Sequence, residues 1–210
     1  IDALDPETTG IFIEIGGSDG LQQSNSVLLE KLGWSGILIE PNPASYARCV
    51  KTRPNIKVAH AACVSADFEK SHVTLTDVGL MSLTSQSAFD EDQREEWLSR
   101  GERTGGRSRQ LIEVPAVPIS VLLDRYGIKD VDLLLLDVEG AEIDVLQGLD
   151  FSKHAPRYIL AEDDFSEDIA EFLKDKGYGK VATLSDRRYT RDCLYLLGSE
   201  PAQHPKSSRI

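Results

Sequence analysis

Three acidic positions, each closing an apolar run, are where this chain could do chemistry. Val131-Asp-Leu-Leu-Leu-Leu-Asp137 is its most apolar strand-like run and ends on a carboxylate. Glu139 follows in the turn Val138-Glu139-Gly140. A carboxylate at the tip of a buried strand is expensive unless it is used or paired. Asp137 and Glu139 are therefore the candidates to orient or deprotonate a substrate hydroxyl, which needs a base within hydrogen-bond reach as it attacks an electrophile. The second position is Phe12-Ile-Glu-Ile-Gly-Gly-Ser-Asp-Gly20, a short apolar strand running into a glycine-rich turn with acids at both ends. The third is Glu40, at the end of Ile37-Leu-Ile-Glu40. At that distance after the glycine turn, a carboxylate can accept hydrogen bonds from both hydroxyls of a ribose.

The spacing excludes a dinucleotide. A pyrophosphate fingerprint needs Gly-x-Gly-x-x-Gly; starting at Gly16 it would require glycine at 18 and 21, where the chain has Ser18 and Leu21. Glu14 and Asp19 would also repel a pyrophosphate, but they suit a ligand that carries an ammonium and a sulfonium. S-adenosylmethionine is the adenosine cofactor with both groups. The competing structural explanation is a tight strand-to-helix turn capped by Ser18 or Asp19, with Glu40 merely exposed at a strand end. The glycine turn and Glu40 together favour a ligand.

Glu14–Gly20, Ser24-Asn25, Leu29-Glu30-x-x-Gly33-Trp34-x-Gly36, Ile39-Glu40-Pro41-Asn42-Pro43 and Asp137-Val138-Glu139-Gly140-Ala141-Glu142 together resemble the FkbM family of methyltransferases, from about Phe12 into the 190s. Many members place lysine two residues before the motif aspartate; this chain has Leu135, so no role of that lysine carries over. The resemblance implies an S-adenosylmethionine-dependent O-methyltransferase acting on a hydroxyl of a sugar, glycan or polyketide-type small molecule. It implies that Gly16, Gly17 and Asp19 hold the methionine end, Glu40 the ribose, and Ala62 with Cys63 the adenine, with Glu14 and Asn42 also among the cofactor-binding residues. Asp137 would border both cofactor and acceptor. Gly79-Leu-Met-Ser82 resembles a turn near the family's acceptor side. Catechol-type and macrocin-type O-methyltransferases hold Mg²⁺ on acids after two neighbouring strands, and Asp137 with Glu162 and Asp163 is similar in placement. The alternative for Asp163 and Asp164 is capping of the next helix. The alternative function, from a different class, is a non-catalytic binding module that keeps the fold.

These residues need a scaffold that brings strand ends together, and the chain has its pattern. Ile11–Ile15, Gly36–Glu40, Ile56–Val64, His72–Leu75, Leu111–Val117, Val131–Asp137 and Tyr158–Glu162 read as strands. Helical spacing is found over 24–32, 44–51, 88–100, 121–126, 167–176 and in a segment ending at Val145–Leu149. Two late strands, Tyr178–Leu184 and Cys193–Leu197, have no helix between them and predict an antiparallel hairpin. The order predicts a doubly wound α/β fold, a mostly parallel seven-stranded sheet with an antiparallel edge hairpin, which is the class I methyltransferase, Rossmann-like layout. Ligands bind such sheets at the carboxyl ends of the strands. One domain is expected over 1–198, with 199–210 a loose tail. The segment 77–110 fits the core least well, and its Arg94, Arg100, Arg103, Arg107 and Arg109 suggest a solvated insertion, an anion receptor or a lid. Glu142 reads as a first-turn helix acid favoured by the macrodipole, Cys63 and His60 as packing residues, and His72 has no assigned role.

Composition narrows the class. The chain has 210 residues, 40% hydrophobic and 28% charged, in the range of an ordinary globular domain. Its net charge of −12 argues against nucleic acid or an anionic membrane as a general partner. No apolar run approaches the roughly 18 residues of a membrane span. Three widely spaced cysteines form neither a disulfide framework nor a zinc pattern, which with no visible secretory signal predicts a cytoplasmic protein.

Overall fold

The computed structural model describes residues 9–22, 24–163, 168–186 and 191–199. β1 (Ile11–Ile15) leads through α1 (Val27–Lys31) to β2 (Ser35–Glu40), α2 (Pro43–Thr52) and β3 (Lys57–His60). After β4 (Ala62–Val64) come β5 (His72–Asp77), β6 (Leu83–Thr84), α3 (Glu91–Gly105) and β7 (Gln110–Pro118). The main sheet resumes through α4 (Ile119–Tyr126), β8 (Leu133–Leu136), α5 (Glu142–Gln147), β9 (Tyr158–Asp163) and α6 (Asp168–Asp175). It closes with β10 (Tyr178–Asp186) and β11 (Arg191–Leu197).

The seven-stranded sheet has the order β10-β11-β9-β8-β1-β2-β3. Strands β3, β2, β1, β8 and β9 are parallel, and β11 runs antiparallel to both β9 and β10. The fold is thus the doubly wound class I methyltransferase layout, with β11 inserted inside the edge strand β10. Alternation along the central strands explains why they are apolar throughout. Ile13, Ile15, Ile37, Ile39, Leu134 and Leu136 face one way, onto α4 and α5. Phe12, Leu38, Leu133 and Leu135 face the other, onto Leu29, Trp34 and Cys49. The chain adds β2 and β3 on one side of β1 and β8 onward on the other, and that switch in strand order opens a crevice at the carboxyl ends.

Two expectations need correction. The run 56–64 is not one strand: Lys57–His60 pairs with β2, whereas Ala62–Val64 pairs with β7 in a separate four-stranded sheet of order β4-β7-β5-β6. β2 ends at Glu40 opposite His60, so backbone groups beyond it must find a partner elsewhere. The helix expected to stop at Gly101 continues to Gly105 and ends on left-handed Gly106 (φ 64°). Gly101 is there for contact: a Cβ would lie 2.5 Å from Val78 Cγ2. Asp90 and Gln93 form a reciprocal capping box that starts this helix.

Candidate functional site

The crevice is a cavity whose space, counted out to its open mouth, is about 870 Å³. The ends of β1, β2, β4 and β8 form one side, and Leu75, Gly79, Leu80, Ser82 and Thr84 of the small-sheet region form the other. Of the residues singled out in the sequence, Gly16, Glu40, Asn42, Ala62, Cys63, Asp137 and Glu139 all border this one space.

The glycine turn is shaped by close approach. Gly16 has φ +91°, and a Cβ there would fall 1.9 Å from the Asp137 carbonyl oxygen. Gly16 N donates to Ile39 O (3.0 Å) and Asp137 N to Ile15 O (3.2 Å), so the tips of β1, β2 and β8 are tied together. Glu40 then bridges two turns: its Oε2 accepts from Ser18 N and its Oε1 from Asn42 N, both at 2.8 Å. Burial pushes the Glu40 carboxyl up to about 7, against the pull of those donors. Asn42 Oδ1 caps α2, accepting from Ala44 N (2.9 Å) and Ser45 N (3.2 Å).

Glu14, Gly17 and Asp19 stand behind this surface, outside the lining. Glu14 is 3% exposed and accepts from Ser24 Oγ (2.8 Å), Asn25 N (2.6 Å) and Ser26 Oγ (2.6 Å). It anchors the chain between the turn and α1. Asp19 Oδ1 accepts from Leu21 N (3.0 Å) and Gln22 N (2.7 Å), closing its own turn. Gly17 packs on Leu38, whose Cδ2 would be 3.0 Å from a Cβ. Arg53, which no sequence motif flags, is 2% exposed and completes the support: it pairs with Glu30 and donates to Gly20 O (3.0 Å) and Ser24 Oγ (3.1 Å).

The β8 end of the cavity carries a cluster of acids. Glu139 has φ +55°; with Ser18 (φ 47°) it is one of two non-glycine residues in the left-handed region among those described, and both line the cavity. Such strain persists where surrounding contacts enforce it. Glu139's carboxyl is held well above its ordinary range, first by burial and then by the charges of Asp137, Glu162 and Glu142, with Arg100 opposing. Glu142 is the first-turn acid of α5 that the sequence suggests, and it is buried as well. It is 6% exposed, accepts from Val138 N (3.1 Å), and burial with Glu162 and Asp137 nearby pushes it up to about 8. A first-turn acid facing solvent would show none of this; the Glu142 side chain turns back beneath the β8 tip. The repeated acid spacing 137, 139, 142 was the available signal.

Cys63 packs at the cavity wall, 6% exposed, with burial pushing its thiol up. His60 stacks on Tyr46 (centroids 5.0 Å) and its Nε2 lies 2.9 Å from Pro41 O; His72 meets Ser71 Oγ at 3.0 Å. Three arginines of 77–110 engage their own segment, whereas the charge of Arg100 reaches Glu139. Arg109 binds Glu95 (2.8 and 2.9 Å) and Glu102 (2.8 Å), Arg107 binds Asp77 (3.3 Å), and Arg94 donates to Thr84 O and Ser87 O. Glu162 sits on β9 beside the Asp137 strand, and its charge reaches Glu139 and Glu142. The Asp163 side chain, Asp164 and residues 200–210 lie outside the described residues. Among the described residues, no three His, Cys, Asp or Glu side chains converge into a metal site, so the expected Mg²⁺ has no complete donor set there. Among the same residues, no helix is long and apolar enough to cross a membrane.

The sequence model described as the methyltransferase FkbM domain matches residues 14–179. No curated protein matches the chain. Similar solved structures include an FkbM methyltransferase from Methylobacillus flagellatus, at 14% identity and TM-score 0.49, covering 90% of this chain and 43% of that one. A ribosomal protein L11 methylase from Lactobacillus delbrueckii subsp. bulgaricus aligns at 10% identity and TM-score 0.47, over 90% and 71% of the two chains. TehB from Haemophilus influenzae aligns at 11% identity and TM-score 0.48, over 93% and 60%. This chain therefore spans less than half the length of the similar FkbM structure. With the family match covering the glycine turn, Glu40 and the whole acidic rim, the chain belongs to the FkbM methyltransferase domain family.

Proposed function

We propose that the protein is an S-adenosylmethionine-dependent O-methyltransferase whose acceptor is a hydroxyl of a sugar, glycan or polyketide-type small molecule. The observation that carries this reading is one cavity bordered by Gly16 and Glu40 at the ends of β1 and β2 and by Asp137 and Glu139 just past the end of β8. The chain's residues fit the cofactor. Glu40, Asp137 and Glu139 all border the cavity beside the Gly16 turn, and that acidic lining suits a sulfonium and an ammonium. Gly16 and the turn behind it would hold the methionine end, Glu40 and Asn42 the ribose, and Ala62 with Cys63 the adenine. When bound, the cofactor supplies an electrophilic methyl that an acceptor hydroxyl attacks in line.

The protein's own contribution is orientation and proton transfer. Asp137 and Glu139 face the same space, and a carboxyl held above its ordinary range by burial and like charge is a stronger base once ionised. One of the pair accepts the hydroxyl proton while the other orients the acceptor. The protein's net charge of −12 supports a small-molecule acceptor over nucleic acid, and the three widely spaced cysteines support a cytoplasmic setting.

Isothermal titration with S-adenosylmethionine, its demethylated product and NAD tests the cofactor assignment. Micromolar binding of the first two with none for NAD is expected. Silence from all three would favour a binding module that keeps only the fold. Release of demethylated cofactor in the presence of methyl glycosides and hydroxylated macrolactones tests the acceptor class, with amine acceptors as the opposing arm.

A further inference from the structure

The left-handed backbone of Glu139 is set from outside the main sheet. Three consecutive residues of the 77–110 segment meet the turn that carries it. Ser87 Oγ donates to Glu139 O at 3.0 Å, and Ala88 N donates to Gly140 O at 2.9 Å. The Phe89 ring lies against Gly140 so closely that a Cβ there would be 2.8 Å from Cε1. Ser87 is itself buried, 7% exposed, and doubly held. Its N donates to Thr84 O (3.2 Å), and Arg94 reaches back from the first turn of α3 to grip both Ser87 O (3.1 Å) and Thr84 O (3.2 Å). Phe89 is fixed edge-on against Trp97 of the same helix, centroids 5.6 Å apart.

We propose that Ser87 is a positioning residue for methyl transfer: its hydroxyl holds the Glu139 carbonyl, and so aims the Glu139 carboxyl into the cavity. The proposal rests on the reading that Glu139 handles the acceptor. A glutamate at φ +55° is disfavoured where glycine would be neutral, so the turn relaxes unless something outside it supplies a partner for its carbonyl. The hydroxyl of Ser87 is that partner, and removing it frees the carbonyl without opening a large void. Gly140, already left-handed at φ +84°, gives the loosened turn room to swing. The insertion thereby serves the acid cluster as a brace, in addition to forming the far wall of the cavity.

The test is a set of four full-length variants: Ser87→Ala, Ser87→Thr, Glu139→Gln and the Ser87→Ala/Glu139→Gln double. Each is read by release of demethylated cofactor with the methyl glycoside and macrolactone panel, by calorimetric binding of the demethylated cofactor, and by amide hydrogen exchange over 138–141. Ser87→Ala is expected to lower kcat about 10- to 100-fold, the loss typical of a misplaced reacting group, with cofactor affinity unchanged. Exchange at 138–141 should rise, Ser87→Thr should restore most of kcat, and the double variant should be no slower than Glu139→Gln alone. Unchanged kcat and exchange in Ser87→Ala, or full additivity in the double variant, overturns the proposal. If Glu139→Gln turns over like the parent protein, the failure lies in the reading of Glu139, even where Ser87→Ala alters exchange.

Discussion

The two groups of acids at and behind the cavity are held by opposite means. On the β1–β2 side the carboxylates are surrounded by donors: three for Glu14 and two for Glu40, mostly backbone N–H groups and serine hydroxyls of nearby turns. On the β8 side, Asp137, Glu139, Glu142 and Glu162 act on one another as like charges, and Glu139 sits on a strained backbone. A surface that only binds can be satisfied before its ligand arrives. One that moves a proton has to hold its groups near an unfavourable charge state, and burial with like charge does that.

The sharpest way to break this comparison is Asp137→Ala. Turnover should fall by about 10²- to 10⁴-fold, the usual worth of a positioned acid or base. Calorimetry should still show cofactor binding; turnover that stays intact, or a loss explained by lost binding, would remove Asp137 from the chemistry. Gly16→Ala should damage the other side. Its Cβ meets the Asp137 carbonyl at 1.9 Å on a φ of +91°, so urea unfolding should report a loss of about 3 kcal/mol. Glu40→Ala should weaken cofactor affinity by about 10- to 100-fold through lost ribose hydrogen bonds, with a smaller effect on kcat.

Glu142→Gln separates electrostatic strain from packing. The folded carboxyl titrates near 8 against an ordinary 4.5, so the native state keeps a proton that the unfolded chain releases. Stability should therefore fall as pH rises from about 4.5 to 8. Glutamine still accepts from Val138 N without carrying charge. The variant should match the parent near pH 4.5 and become up to about 5 kcal/mol more stable by pH 8, as read by chemical denaturation. A variant less stable at both pH values would show that Glu142 is held by hydrogen bonding alone. The smallest effect belongs to Arg109→Ala. Its pairs with Glu95 and Glu102 are largely solvated, so the melting temperature should drop slightly and the difference should vanish in high salt.

How much of this was legible follows from which contacts are local. The run Phe12–Gly20, Glu40 at the β2 tip and Asp137 at the β8 tip all declare themselves, because a strand buried on both faces is apolar and any carboxylate closing it stands out. The capping box that starts α3, Asp90-x-x-Gln93, is equally local but is not among the features read from the sequence, and the expected helix begins at 88 instead of at Glu91. Other features depend on partners far away in the chain. The break at Ala61 exists because β2 ends at Glu40 and β7, some 50 residues later, supplies the next hydrogen bonds. The same holds for Arg53 beneath the glycine turn and for the burial of Glu142.

The sequence by itself determined the sheet's strands, the glycine turn that brings backbone against backbone, and the family to which the chain belongs. Period and composition encode which residues must leave water, and they do so residue by residue. Tertiary structure alone decided what each acid does. Glu14 and Asp19 became anchors of the turn, whereas Glu139 and Glu142 became a buried, mutually repelling pair. These four residues look alike on paper but differ in the donors and charges around them: Glu14's donors lie 10 to 12 residues along the chain, whereas Asp19's lie two and three. A carboxylate's chemistry is set by its surroundings, and surroundings are assembled only when the chain folds.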